Sequence, residues 1–278
     1  MEKSYFTVMF SAFFSSLAVC GVLRTIMRFL FIDTETGFYT KTSGIMPAAF
    51  NIILAACIVF MIVFNNMRKV NHDYPVENRK RILYLGAAAV GVAILLYVWL
   101  GMPEHFGQSH LRDNPLWESG VKIMNYSLGS LAGIAMIITG LLGFFTTKRP
   151  VSILLIIPAI WQLILLVSRF NGYFSVLYIS DNLLAIFFMM FASLFYIGYA
   201  RTLCGFARKD GRNYVISAGL AASLCGFLLT VPNFIFMIIN PATAFYTEAS
   251  FFEYIYILAA SIYSLKFVLS YSASIKYV

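Results

Sequence analysis

Polar and charged side chains interrupt stretches of this sequence that are otherwise strongly apolar. Ionisable groups are unfavourable in an apolar environment, and those that occur there are mostly paired or functional. The guanidinium group of arginine is a rigid fork of donors that matches a carboxylate or a phosphate. The pattern therefore predicts either a pocket for a small polar or anionic molecule, or a set of ion pairs that orients the helices. The candidate ligand-binding residues are Arg24, Arg28, Asn51, Gln162, Arg169, Asp181, Asn233 and Glu253.

Two polar segments between the apolar stretches offer groups that metals use as ligands. The carboxylates of Asp33–Gly37 could hold a cation, and His105 and His110, with the acids beside them, could hold zinc. Neither spacing matches an established metal site. Solvated loops are the simpler interpretation, and we predict no metal site.

Motifs for catalysis and for cofactors are absent from the sequence. It contains no HExxH motif and no glycine-rich phosphate loop. All three histidines (His72, His105 and His110) lie outside the apolar stretches, which argues against a haem held between helices. We therefore predict that the protein is not an enzyme and carries no cofactor.

The composition of the chain explains where these polar residues must lie. Hydrophobic residues make up 60% of the 278 residues and charged residues 12%, whereas a soluble domain has about 45–50% and about 25%. The mean hydropathy is +0.81. The composition predicts an integral membrane protein, in which lipid surrounds most of the polypeptide.

Eight apolar stretches are long enough to cross a bilayer as helices, which takes about 20 residues each. Continuous apolar runs lack the alternation of a barrel strand, so the predicted fold is all-α, a polytopic bundle in a single transmembrane domain. The predicted spans are 8–32, 45–65, 82–102, 123–145, 151–169, 182–200, 214–238 and 252–272. The sixth is predicted to begin at Ser180 and Asp181, because a Ser-Asp pair favours a helix N-terminus.

The distribution of basic residues predicts the orientation. The termini and the connections that follow even-numbered spans carry thirteen lysines and arginines, whereas the opposite connections and helix ends carry four. The positive-inside rule then places both termini in the cytoplasm. The candidate polar residues consequently map mostly to the outer half of the bundle.

Small residues in the fourth span predict close helix packing, because helices in lipid associate through small side chains and polar contacts. They are Gly129, Gly133, Ala135, Thr139 and Gly143. Some short sequence elements also recur at a spacing of about half the chain length, for example Arg28-Phe29 and Arg169-Phe170. A duplication of four plus four helices would explain this recurrence, but equal helix lengths explain it more simply.

These features favour a small-solute transporter or permease-like protein with a polar pocket in the outer half. One alternative is a non-catalytic accessory or structural subunit that packs on a partner through an exposed stripe such as Gly129 and Gly133. Another is a membrane sensor that signals through the loop 66–81. The compact loops favour the cytoplasmic membrane of a bacterium. Expected partners are the lipid bilayer, anionic lipid at the cytoplasmic face, a small polar or anionic ligand and another membrane protein, but no nucleic acid.

Overall fold

The computed structural model of the chain describes residues 2–32, 39–40, 44–67, 81–102, 115–145, 152–172, 180–203, 209–240 and 250–274. These residues form eight long α-helices, and the described part of the chain contains no β-strand beyond one isolated bridge between Ile32 and Tyr39. The helices are α1 (Glu2–Leu30), α2 (Met46–Asn66), α3 (Arg81–Leu96), α4 (Pro115–Phe145), α5 (Ile156–Gly172), α6 (Ser180–Leu203), α7 (Lys209–Ile239) and α8 (Phe251–Ser274).

Each helix is long and apolar enough to cross a membrane, as the sequence predicts. The apolar segments begin and end within three residues of the predicted spans, because the apolar run itself sets these limits. Helix α6 begins at Ser180, the predicted Ser-Asp start. The orientation of the termini and insertion into a bilayer stay predictions.

Six helices form a closed ring, in which each of α3 to α8 packs on the next and α8 packs back on α3. Helices α1 and α2 pack together as a hairpin on the outside of this ring, mainly against α7. We call these two parts the six-helix ring and the α1–α2 hairpin. The packing therefore divides the helices into a group of two and a group of six. A duplication of four plus four helices stays untested by this packing.

Glycines allow α3 and α4 to approach each other to backbone contact. A Cβ atom on Gly91 would lie 2.6 Å from the carbonyl oxygen of Gly133, and one on Gly140 would lie 2.6 Å from that of Tyr84. Gly140 was not among the predicted packing residues. The predicted residues are all buried in this region except Gly143, which is partly exposed beside the Tyr84 ring.

Gly129 and Gly133 face other helices of the same chain. A Cβ on Gly129 would meet Val98, in the helical turn that follows α3, and Trp161 on α5. The predicted stripe is therefore covered within the bundle and offers no exposed surface to a partner, which corrects the expectation attached to the accessory-subunit hypothesis. Thr139 is also fully buried, with its hydroxyl donating to the carbonyl oxygen of Ala135 at 2.7 Å.

Aromatic side chains fill the interior of the ring. The rings of Tyr97, Trp161 and Tyr256 lie 5.4–6.3 Å apart by their centroids. Tyr97 opens a π-helical turn (Tyr97–Gly101) that extends α3. These contacts bring α3, α5 and α8 together at the level of the candidate site.

The two intrahelical prolines differ in position. Pro232 lies inside α7, where it removes a backbone donor and is expected to bend the helix. Pro158 is the third residue of α5, which follows a short 3-10 turn (Ser152–Leu155). A proline is tolerated in a first turn, because the missing N–H would have no partner there. Pro158 therefore lies where it need not bend its helix, although it falls inside the predicted fifth span.

Candidate functional site

The candidate charges lie at one end of the bundle, where the helix ends favour their signs. Arg28 and Arg169 are in the last turns of α1 and α5, and Asp181 and Glu253 are in the first turns of α6 and α8. Cations are stabilised at helix C-termini and anions at N-termini. We call this end of the bundle the charged end.

Arg24 and Asp181 form a buried ion pair that joins α1 to α6. Nη2 of Arg24 donates to Oδ1 of Asp181, and the arginine is only 1% exposed. The other carboxylate oxygen accepts a bond of 3.2 Å from the side-chain amide of Asn233 on α7. Arg24 also donates to the Tyr39 hydroxyl at 3.2 Å. This pair is therefore supported by hydrogen bonds on both sides.

Arg169 and Glu253 form a second buried ion pair, between α5 and α8. Nη2 of Arg169 lies 2.6 Å from Oε1 of Glu253, whose residue is completely buried. On the same two helices, the side-chain amide of Gln162 donates to the Tyr256 hydroxyl. The pair therefore lies inside the six-helix ring, whereas the first pair joins the hairpin to the ring.

Arg28 is the third buried arginine, and its surroundings differ from those of the other two. Its guanidinium carbon lies 4.7 Å from the centroid of the Phe236 ring, and the residue is 6% exposed. Among the described residues no carboxylate pairs with it, and its Nε atom has no hydrogen-bond partner. A cation–π contact contributes up to about 2 kcal/mol when desolvated, which is less than the several kcal/mol lost when an ion leaves water.

Tyr254 lies beside both acids and two of the three arginines, and Arg24 joins this group through its pair with Asp181. Its hydroxyl is buried and interacts electrostatically with Asp181, Glu253, Arg28 and Arg169. We call these six residues the charge cluster (Arg24, Arg28, Arg169, Asp181, Glu253 and Tyr254). With three arginines against two acids, it has one excess positive formal charge, and Arg28 is the arginine without an ionic partner in the described chain.

Several polar atoms in and beside the charge cluster have no hydrogen-bond partner among the described residues. They are Nε of Arg28, Oη of Tyr254, Nδ2 of Asn182, Oδ1 of Asn233 and the carboxylate oxygens of Glu253, of which Oε1 is in ion-pair contact with Arg169. Buried polar groups are almost always hydrogen-bonded, so each such atom calls for an explanation. Three of these atoms (Nε of Arg28, Oη of Tyr254 and Nδ2 of Asn182) are donors, and together with a cation that has no ionic partner in the described chain they can bind an anion.

The structure brings most of the sequence-predicted site residues together and leaves one of them apart. Arg24, Asp181 and Asn233 meet directly, as do Arg169 and Glu253, while Gln162 lies nearby through Tyr256. Asn51 is exposed on α2 and takes no part, because its neighbour Phe50 is the residue that faces Arg24. Whether any of these residues binds a ligand stays a prediction.

Sequence reasoning missed Tyr254 and Tyr39. Tyrosine counts as an apolar residue in a hydropathy profile, so its hydroxyl does not stand out in a span. The one available signal is that Tyr254 follows Glu253 in the first turn of α8.

A groove lies between the α1–α2 hairpin and the ring, next to the charge cluster. It has a volume of about 400 Å³, and it is lined almost entirely by apolar atoms of α1 and α7. The Thr25 hydroxyl, which lies in it, donates to the carbonyl oxygen of Gly21 at 2.8 Å and so offers no free donor. The lining residues are Leu17, Ala18, Gly21, Val22, Thr25, Ile26, Phe227, Leu228, Val231 and Pro232. We call this feature the α1/α7 groove.

The candidate metal ligands lie outside the described residues. These are the segments Asp33–Gly37 and Glu104–Asp113. Within the described ranges, no group of three or more His, Cys, Asp or Glu side chains could hold a metal ion.

Comparison of the chain with protein-family models, with curated proteins and with solved structures finds no match.

Proposed function

We propose that this is a multi-pass membrane protein whose charge cluster binds an anionic group, as the substrate site of a permease-like carrier. The observation that supports the proposal best is Arg28, a buried guanidinium with no ionic partner in the described chain. A ligand carboxylate or phosphate would neutralise the excess charge of the cluster and accept the hydrogen bonds that Arg28 and its neighbours leave unmade.

The membrane part of the proposal is supported by the eight long apolar helices and by their exposed apolar side chains. Helix α2 exposes Ile52, Val59 and Phe60 along its length, which in water would favour aggregation. With both termini in the cytoplasm, as the basic residues predict, the charged end faces outward. The anion would then enter from the outside.

Magnitudes favour Arg28 over Arg24 and Arg169 as the ligand-binding arginine. Breaking a buried ion pair costs about 3–5 kcal/mol, so a ligand that had to displace Asp181 or Glu253 would lose that energy first. Arg28 has no such pair to break among the described residues. We therefore assign the ligand contact to Arg28 and the positioning of the helices to the two ion pairs.

The test is a titration of the purified protein, in nanodiscs of phosphatidylcholine, with butyl phosphate at constant ionic strength. The thermal unfolding midpoint is measured for the wild type and for Arg28→Gln. We expect the wild type to be stabilised and Arg28→Gln to bind about 10- to 100-fold more weakly, the effect of losing a charged hydrogen-bond donor. Exchange of labelled butyl phosphate into proteoliposomes then tests whether binding leads to transport.

Arg201→Gln is the matched control. Arg201 is exposed in the last turn of α6, whereas Asp181 of the charged end is in the first turn of that helix. It should respond to butyl phosphate as the wild type does. An equal response of Arg28→Gln and wild type, or no response in either, would contradict the proposal.

The alternative functions have less support. An accessory subunit would need a surface other than the stripe of Gly129 and Gly133, which is buried in the bundle. The loop assigned to a sensor, 66–81, lies almost entirely outside the described residues. We therefore keep the anion-binding site as the working function.

A further inference from the structure

The α1/α7 groove opens on the side of the bundle. Val22 and Val231, which line it from opposite helices, are 61% and 42% exposed. In a membrane this side faces lipid chains, not water. The groove is therefore accessible from the bilayer itself.

One end of the groove lies next to Arg28, the arginine without an ionic partner among the described residues. On α1, Arg28 lies two residues beyond Ile26, and on α7, Phe236 lies four residues beyond Pro232, so both are within about one turn of the lining. Arg28 and Phe236 contact each other across this end. The apolar groove thus runs along α1 and α7 from the neighbourhood of a buried cation toward the middle of these two helices.

We infer that the ligand of the charge cluster is an anionic phospholipid of the surrounding bilayer. Its phosphate binds Arg28, and one acyl chain lies in the α1/α7 groove. The inference rests on the proposed function and names the class of anion. A lipid in the outer leaflet has its phosphate near the interface and its chains directed toward the bilayer centre, the same order in which the site presents Arg28 and the groove.

Charge and volume both favour a lipid over a small soluble anion. The groove offers almost no polar atom to a second hydrophilic group, so a compact solute would leave it empty. Its volume of about 400 Å³ lies in the range of about 300–1,000 Å³ typical of ligand pockets. An uncharged lipid would fill the groove but leave Arg28 unneutralised.

Gly21 gives a direct way to close the groove. A Cβ atom at this position would meet only Leu228 Cδ2, at 4.0 Å, which is ordinary van der Waals contact. Gly21→Leu therefore places a side chain in the space of the acyl chain without a clash at its Cβ. Ala18→Leu, one turn earlier on the same wall, provides a second variant.

The experiment measures lipid enrichment. The full-length protein is extracted from bilayers of equal parts phosphatidylglycerol and phosphatidylcholine into an uncharged detergent, and the retained lipids are counted by mass spectrometry. We expect the wild type to retain phosphatidylglycerol over phosphatidylcholine by about fivefold, the preference that one arginine gives for an anionic headgroup. Arg28→Gln should remove the preference, and both groove variants should remove the retained lipid.

Two controls separate this inference from the proposed function. Gly120→Leu makes the same substitution at an exposed helical position where a Cβ meets nothing within 4 Å, and it should retain lipid like the wild type. Butyl phosphate, which has the headgroup charge without the long chain, should bind the groove variants as it binds the wild type.

Each outcome decides one of the two claims. The lipid is not the ligand if Gly21→Leu and Ala18→Leu retain phosphatidylglycerol as the wild type does, or if the wild type shows no enrichment. In either case the anion site still stands, provided that Arg28→Gln weakens the binding of butyl phosphate. If Arg28→Gln binds both probes normally, the anion site and the lipid inference both fail.

Discussion

The α1–α2 hairpin and the six-helix ring are held by different kinds of contact. In the ring, between 39% and 61% of the residues in an 18-residue apolar window of each helix are buried, whereas in the hairpin helices the share is 22%. The ring is held by glycine contacts between α3 and α4 and by a central set of aromatic rings. The hairpin has a smaller packed surface on α7, with a groove in it.

Polar contacts attach the hairpin to the ring, where its packed surface is small, and they lie at both ends of the hairpin. At the charged end Arg24 pairs with Asp181, and at the other end the side-chain amide of Asn65 donates to the carbonyl oxygen of Asn213 at 2.6 Å and to the Ser217 hydroxyl at 2.8 Å. Lipid is as apolar as leucine, so a weakly packed helix pair gains nothing from hydrophobic burial. Fixed at its ends and open between them, the hairpin leaves room for the α1/α7 groove.

The largest expected effect comes from breaking the ion pair that attaches the hairpin. Arg24→Ala should lower the free energy of unfolding by about 3–5 kcal/mol, because it leaves Asp181 buried without its cation. Thermal unfolding in detergent measures the loss. Arg201→Ala, on the exposed face of α6, should change stability little.

Two further variants sharpen this result. Arg24→Ala with Asp181→Ala should be more stable than Arg24→Ala alone, because no buried charge is then left unpaired. Arg28→Ala, four residues along the same helix, should not lower the stability of the ligand-free protein, because no carboxylate in the described chain would lose its cation. Equal losses for Arg24→Ala and Arg28→Ala would show that the two arginines do not differ as described.

A smaller effect is expected from forcing the ring apart. In Gly140→Ala the new Cβ would lie 2.6 Å from the Tyr84 carbonyl oxygen and 2.7 Å from the Ala88 nitrogen, so α3 and α4 must separate. Overpacking of this kind lowers stability by about 1–3 kcal/mol. Gly120→Ala, which meets nothing within 4 Å, is the control for helix propensity. A stability of Gly140→Ala at or above that of Gly120→Ala would contradict the close packing of the ring.

The smallest effect is expected at the far end of the hairpin. Asn65→Ala removes two interhelical hydrogen bonds, each contributing about 0.6 kcal/mol on average in a membrane protein. The expected loss in unfolding free energy is therefore about 1 kcal/mol. The neighbouring Asn66 is exposed, and Asn66→Ala should have no measurable effect. If the two alanine variants behave alike, Asn65 does not attach the hairpin to α7.

Much of the helical framework could be predicted, but only part of the candidate site could. The start of α6 at Ser180 followed from a local capping preference, and Arg24 and Asp181 could both be recognised as buried polar residues. Their pairing could not, since 157 residues separate them in the chain. Asn51 has the same residue type as Asn233 at a similar predicted depth, yet one is exposed and the other bonds Asp181.

The eight long apolar helices follow from the amino-acid sequence alone, because helix length and hydropathy are properties of contiguous residues. The signs of charge at the helix ends follow from it as well. The sequence does not show which acid each arginine meets, that Arg28 meets none among the described residues, or that a groove separates α1 from α7. These depend on the rotation and contact of helices far apart in the chain, which in lipid are set by close packing and individual polar bonds and not by a hydrophobic pattern that can be read along one segment.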